Sequence, residues 1–291
     1  MTIPTIDHVC EQAQRLPCSP VLMPRLVHVL EDVNSSSEDI EAIIRMDTAL
    51  AGSTLRLANS AYFSAGGQRT ETLHDAITRL GSREIYRLAA LSLAGRWMNQ
   101  PVGGFHWEPG DFCRRAIATA VAAEYLATKS QRTDPAAAYT AGLIHEIGNL
   151  AIAYSCADHF PAIRQFCVKE HSSWNRAERA ILGYDHAQIG AQLVRRWNFP
   201  PSLVGVVEFQ PPVAEMPADA LPLAVHVHAG KFLAASLGAG VAEDGFLFDF
   251  NSTLLVEWGF TPEVLEAALP AVLEAATKVL GEKLLRGSFS F

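Results

Sequence analysis

The chain has 291 residues, 49% of them hydrophobic and 19% charged, with a formal net charge of −8. This is the composition of a globular protein with ample apolar surface for a core. It argues against general nucleic-acid binding, which needs clustered Lys and Arg against phosphates; the short pairs Arg114-Arg115 and Arg195-Arg196 make no such patch. The five cysteines, Cys10, Cys18, Cys113, Cys156 and Cys167, contain no C-x-x-C pair and read as reduced thiols rather than a disulfide frame or zinc site. No secretory leader and no apolar stretch of about 18 residues is visible, so a soluble, cytoplasmic protein without membrane contact is expected.

Residues 5–15 predict an amphipathic helix with Ile6, Val9, Cys10 and Ala13 on one side. Leu16-Pro17-Cys18-Ser19-Pro20 ends it, because the residue before a proline is pushed out of the α region. A second helix is predicted over 21–33. Ser35-x-x-Glu38 then fits a capping box ahead of the Ile40, Ile43, Ile44 stripe. Asp47 is the expected cap of a helix whose face is Leu50, Ala51, Leu55, Leu57, Ala58 and Ala61, with Gly66-Gly67 closing the block. Asn59 and Ser60 read as a helix end bonding local backbone. Residues 72–80 predict a short helix closed by Gly81, and Ser82 caps a longer one to about residue 98.

Pro101-Val102-Gly103-Gly104 is the expected boundary between an N-terminal lobe, 1–104, and a second lobe with its C-terminal extension, 105–291. An alanine-rich helix follows over 111–130. Asp134-Pro135 starts the helix that carries His145 and Glu146 through the apolar run of residues 140–150. Further helices are predicted at 159–171, 174–182, 186–197, 202–209 and 221–237. After a Gly-containing excursion over 238–250, Thr261-Pro262-Glu263 opens a last helix to about residue 280. The fold class is all-α. A carboxylate inside an apolar helix is costly unless paired or metal-bound, so His145-Glu146 is either the lip of a site or a pair inside the core. His226 and His228, two residues apart on an apolar helix, point to different faces and read as core or rim residues.

Several motifs in order resemble a known family. Leu16-Pro17 with Ser19-Pro20, then Ile43-Ile44-Arg45-Met46-Asp47-Thr48-Ala49-Leu50, Leu55-Arg56-Leu57-Ala58-Asn59-Ser60-Ala61, and Ala76-Ile77 with Leu80-Gly81 are similar to motifs of the HDOD domain, the HD-related output domain of bacterial signalling proteins. Gly142-Leu143-Ile144-His145-Glu146-Ile147-Gly148 resembles its G-L-L-H-D-I-G, and His186, Gly190, Ala191, Leu193, Trp197 and Pro200 extend the match over about residues 16–212, with the helix at 221–237 in addition. The resemblance implies an HD-like helix bundle with an N-terminal helical lobe packed on it, a degenerate relative of the HD metal-dependent phosphohydrolases.

On that resemblance, Arg115 stands where a hydrolase places its first His, Glu208 where related phosphodiesterases have a His, and Gly230 where a final Asp ligand is expected. A guanidinium stays protonated and cannot ligate a cation. The expected vestigial pocket is Arg115, His145, Glu146, His186 and Glu208, with Arg115 paired to Glu146 or Glu208 in place of an ion; His145, Glu146 and His186 are the residual metal ligands if any ion binds. No cofactor and no catalytic residue is expected. The resemblance implies a non-catalytic regulatory output domain working through protein partners in bacterial signalling, including second-messenger or histidine-kinase components, with room for a small ligand in the pocket. The alternatives are a metal-dependent phosphohydrolase or cyclic-nucleotide phosphodiesterase, and a nucleotide-binding sensor without turnover.

Overall fold

Apolar residues spaced to fall on one side of a helix dominate the chain, and every regular element among the described residues is helical. The structure, a computed structural model, describes residues 3–14, 25–26, 28–29, 32, 34–46, 48–64, 70–98, 111–239 and 247–280. The first elements are α1 (Ile6–Gln14), α2 (Ser37–Ile44), α3 (Thr48–Ala58), α4 (Ala61–Ser64) and α5 (Leu73–Met98). Gly81, at φ 75°, breaks α5 into the two helices that the sequence predicts. The capping box lies one residue later than expected: Ser36 accepts from the Asp39 amide and the Asp39 carboxylate accepts from the Ser36 amide at 2.9 Å. Asn59 is more than a local cap, since its amide group exchanges two 2.8 Å hydrogen bonds with the Thr70 backbone. The expected Asp47 cap, the Gly66-Gly67 break and the boundary at 101–104 lie outside the described residues, as does most of the helix predicted over 21–33.

The second set is α6 (Asp111–Ser130), α7 (Pro135–Ile144), α8 (Ile147–Ser155), α9 (Phe160–Glu170), α10 (Trp174–Leu182), α11 (His186–Arg196), α12 (Pro201–Glu208), α13 (Leu221–Ser236), α14 (Ser252–Glu257) and α15 (Pro262–Leu280). The predicted spans agree to within a residue or two, except that the single helix expected through 140–150 is divided into α7 and α8 and that α14 falls just after a stretch read as an excursion. The alanine-rich α6 lies between α7 and α13 and buries Ala116, Ala118, Ala120, Ala122 and Ala123. Small side chains there let three helix backbones approach. A Cβ on Gly142 would stand 2.7 Å from Ala120 Cα, and one on Gly230 would stand 2.9 Å from the Ala123 nitrogen and the Thr119 oxygen. These two glycines set the spacing of the three helices that form the site.

One apolar cluster joins α1 (Val9, Cys10), α5 (Ile77, Ile85), α8 (Leu150, Ile152) and α11 (Ile189, Leu193), each of whose buried side chains contributes about 1.5–3 kcal/mol. A smaller cluster of Leu126, Val225, Leu233, Leu255, Phe260, Leu265 and Val272 fixes α14 and α15 onto α6 and α13. No helix of the described residues is long and apolar enough to cross a membrane.

Candidate functional site

The apolar run over 140–150 is not one helix. α7 ends at Ile144 and α8 starts at Ile147, with Glu146 in a non-helical conformation (φ −102°, ψ 19°). This break turns the Glu146 carboxylate toward α6 and α13 instead of leaving it on a continuous apolar stripe. It is 2% exposed, and its two oxygens face two cations. Arg115 donates from Nε to Oε2 and from Nη2 to Oε1, each at 2.6 Å, and Lys231 Nζ lies 2.7 Å from Oε1. Burial alone would raise the Glu146 pKa, but Arg115 first and then Lys231 hold it well below the usual carboxylate range. The bidentate fork is the geometry that guanidinium and carboxylate planes favour.

His145 is equally buried. Its Nδ1 donates to the Gly142 carbonyl at 2.7 Å, which leaves Nε2 unprotonated, 3.8 Å from Glu146 Oε1 and without a hydrogen bond. Burial drives its pKa down to about 4, with Lys231 and Arg115 adding to the fall. The imidazole is therefore neutral at pH 7.

His186, at the start of α11, adjoins this centre because its backbone touches Gly148, but its ring belongs to another pair. Nδ1 lies 2.6 Å from Glu178 Oε2, the same oxygen accepts from the His186 amide at 2.9 Å, and Trp174 Nε1 donates to Oε1 at 3.0 Å. Burial works against protonation of His186, yet the Glu178 carboxylate outweighs it and raises the pKa. Glu208 does not join the pocket: it is a surface residue of α12 paired with Arg195. The expected Arg115–Glu208 alternative is thereby corrected, since α12 presents Glu208 outward and buries Val204, Val206 and Val207 instead.

Gly230, expected at the position of a metal-binding Asp, serves helix contact, and the next residue, Lys231, reaches the carboxylate. Sequence reasoning missed Lys231 and Glu178. A lysine in an apolar helix with no other cation nearby, and a glutamate one turn after a tryptophan, were the available signals. His226 and His228 do face apart as expected. His226 lies 2.7 Å from Ser130 Oγ, while His228 Nε2 accepts from the Asn251 amide at 3.2 Å between Phe248 and Phe250.

Protonation of these rings couples to stability. Burial lowers His145 to about 4 and His228 to about 3, against 6.5 when unfolded, so their contribution is complete above pH 6.5 and is lost as pH falls toward those values. His186, raised by Glu178, has the opposite sign: its contribution is complete below pH 6.5 and fades as pH rises through its folded value. Burial also lowers His226, so three rings outweigh one on the acid side. Urea unfolding is expected to show stability about 2 kcal/mol lower at about pH 5.5 than at about pH 7, with His228→Asn removing part of the fall. A flat profile over that interval would show the rings to be hydrated.

The residues do not fit a divalent ion. Both oxygens of Glu146 are held by fixed cations within hydrogen-bond distance, and an added ion would meet Arg115 and Lys231. Among the described residues no cluster of three His, Cys, Asp or Glu side chains converges on one point.

Comparison with known proteins agrees with this architecture. The profile of the HDOD domain matches residues 16–212. A solved structure of an HDOD domain protein of unknown function from Geobacter sulfurreducens superposes with a TM-score of 0.68 at 18% identity, over 94% of this chain and 99% of that one. A candidate signal transduction protein from Marinobacter aquaeolei VT8 gives 0.71 at 22%, over 98% and 67%. A candidate phosphohydrolase from Shewanella amazonensis SB2B gives 0.64 at 27%, over 95% and 96%. An uncharacterized protein of Treponema pallidum (strain Nichols) is 24% identical over 216 residues, 74% of this chain, which spans 41% of that relative's length. With the profile covering well over half of the sequence, the chain belongs to the HDOD domain family.

Proposed function

We propose that this chain is a non-catalytic regulatory output domain that acts by binding protein partners in bacterial signal transduction, its residues 1–104 and 105–291 serving as two lobes of one scaffold. The observation that carries the reading is the capture of both Glu146 oxygens by Arg115 and Lys231, which fills with side-chain charge the position where a hydrolase would need a metal. Metal-assisted hydrolysis requires an ion with an open coordination position, and this centre offers neither a free carboxylate nor a third donor among the described residues. The signal transduction protein among the similar folds supports the reading at the level of fold; the Shewanella protein, described as a candidate phosphohydrolase, supports the enzymatic rival. The bidentate engagement of Arg115 favours the adaptor over the sensor in which Arg115 clamps a nucleotide phosphate.

The test is the metal content of the purified protein after exposure to manganese, zinc and ferrous iron, together with hydrolysis of cyclic nucleotides and a generic phosphodiester. The expected result is substoichiometric metal and no turnover. One ion per chain, with turnover abolished by His145→Ala, would sink the reading.

A further inference from the structure

The helix α6 ends at Ser130, where Gln131 enters the left-handed region (φ 56°) and turns the chain. The Ser130 hydroxyl lies 2.7 Å from Nε2 of His226 in α13. The direction of that hydrogen bond follows from the other ring nitrogen. Nδ1 lies 2.7 Å from the Pro222 carbonyl, which can only accept, so Nδ1 carries the ring proton and Nε2 presents a lone pair. Burial lowers the His226 pKa, and the ring is neutral at pH 7. Ser130 therefore donates to an unprotonated imidazole whose far nitrogen is held in place. A hydroxyl nucleophile, its base and a group that orients the base are arranged in this way. The Ala127 carbonyl, at 3.4 Å, is the longer alternative acceptor.

Base and hydroxyl differ in access. His226 is fully buried, with the Phe260 and Trp258 rings edge-on at 4.9 and 6.5 Å. Ser130 is half-buried, and its neighbours Lys129, Gln131 and Arg132 are exposed. The Arg132 guanidinium is engaged with the Trp258 ring and carbonyl. Two cations next to the hydroxyl in sequence suit a donor whose leaving group is an anion. The two amides that follow Ser130 do not form an oxyanion hole: Gln131 donates to the Ala127 carbonyl at 2.9 Å, and Arg132 donates to Ser130 Oγ itself at 3.3 Å. Attack thus requires an already activated carbonyl, and an ester formed on Oγ is slow to hydrolyse.

The geometry points to Ser130 as a covalent modification site that takes an acyl group from an acyl phosphate. Oγ attacks the carbonyl carbon and forms the new O–C bond, while the bond from that carbon to the phosphate oxygen breaks and its electron pair leaves on phosphate. The hydroxyl proton passes to His226 Nε2 and on to the departing phosphate, and nothing is oxidised or reduced. Attack at carbon is favoured over attack at phosphorus, because phosphoryl transfer needs metal ions or several cations on the phosphoryl oxygens, and Arg132 is already engaged. Acylation removes the proton that His226 accepts, and so cuts this polar link between the end of α6 and α13. The site lies apart from the Glu146 centre, and the inference does not rest on the partner-binding reading.

The test incubates the full chain with acetyl phosphate and maps modified peptides by mass spectrometry over time. Expected is one acetyl ester per chain, on Ser130 and removable by hydroxylamine, while Ser236, whose exposed hydroxyl donates to the Phe232 carbonyl, stays unmodified. Ser130→Ala abolishes the ester, and His226→Gln, checked by circular dichroism for an intact fold, slows its formation about a hundredfold. Should His226→Gln not fold, the ratio of Ser130 to Ser236 modification in the wild type decides. No ester on Ser130, equal rates at Ser130 and Ser236, or an unchanged rate in folded His226→Gln overturns the proposal. So does phosphate rather than acetyl on Ser130, or continuous release of acetate that Ser130→Ala abolishes.

Discussion

Glu146→Ala is expected to lower the unfolding free energy by about 3–5 kcal/mol, because it removes the carboxylate that the buried guanidinium of Arg115 and ammonium of Lys231 share. Both cations are more than nine-tenths buried, so water cannot replace the carboxylate without opening the contact between α6 and α13. The loss should not be read as the net worth of the cluster. Taking three charges out of water costs several kcal/mol per ion, and their mutual attraction only roughly returns it. The triple variant Arg115→Met, Glu146→Leu, Lys231→Met is therefore expected to recover most of the stability lost by Glu146→Ala alone. Urea unfolding of the wild type, the single variant and the triple variant decides the matter. A single-variant loss under about 1 kcal/mol would mean that the centre is hydrated, and the account of Arg115 and Lys231 as a stand-in for an ion would fail with it.

Gly148→Ala is expected to cost about 3 kcal/mol or more, or to yield insoluble protein, because the added methyl would overlap the His186 carbonyl and stand 2.7 Å from the Gly190 nitrogen. Both obstacles are backbone and neither can rotate away, so α8 and α11 would have to separate. Gly190→Ala is the control at the same crossing. Its methyl would meet Val207 Cγ1 at 2.7 Å, a side-chain terminus that can shift, and a smaller loss of about 1–2 kcal/mol follows. Thermal unfolding of the pair checks the order. Equal losses would show that the helix separation at this crossing is not set by backbone contact.

Much of this was legible before any coordinates. The spans of α6, α10 and α15 follow from apolar periodicity, and the start of α7 from the cap Asp134 ahead of Pro135, since these signals act within one or two turns of chain. The resemblance led to the expectation that Arg115 pairs with Glu146 or Glu208, and the structure gives the bidentate pair to Glu146. Lys231 was missed for a physical reason. A one-residue step along a helix turns a side chain by about 100°, so only the packing of Gly230 on α6 decides that its neighbour faces the carboxylate. Glu208 failed the same way in reverse: its helix was predicted, its direction was not.

Local chemistry in the chain determined that this protein is all-helical, where most of its helices begin and end, and that a histidine and a glutamate must be reconciled with an apolar surrounding. Only the tertiary structure decided who reconciles them. It broke the 140–150 run at His145-Glu146, brought Arg115 and Lys231 from helices far apart in sequence to one carboxylate, gave His186 to Glu178 and left Glu208 outside. Pairing of buried charge depends on distances between elements, and those are set by how closely Gly142, Gly148 and Gly230 let backbones approach, which no periodicity within a single helix encodes.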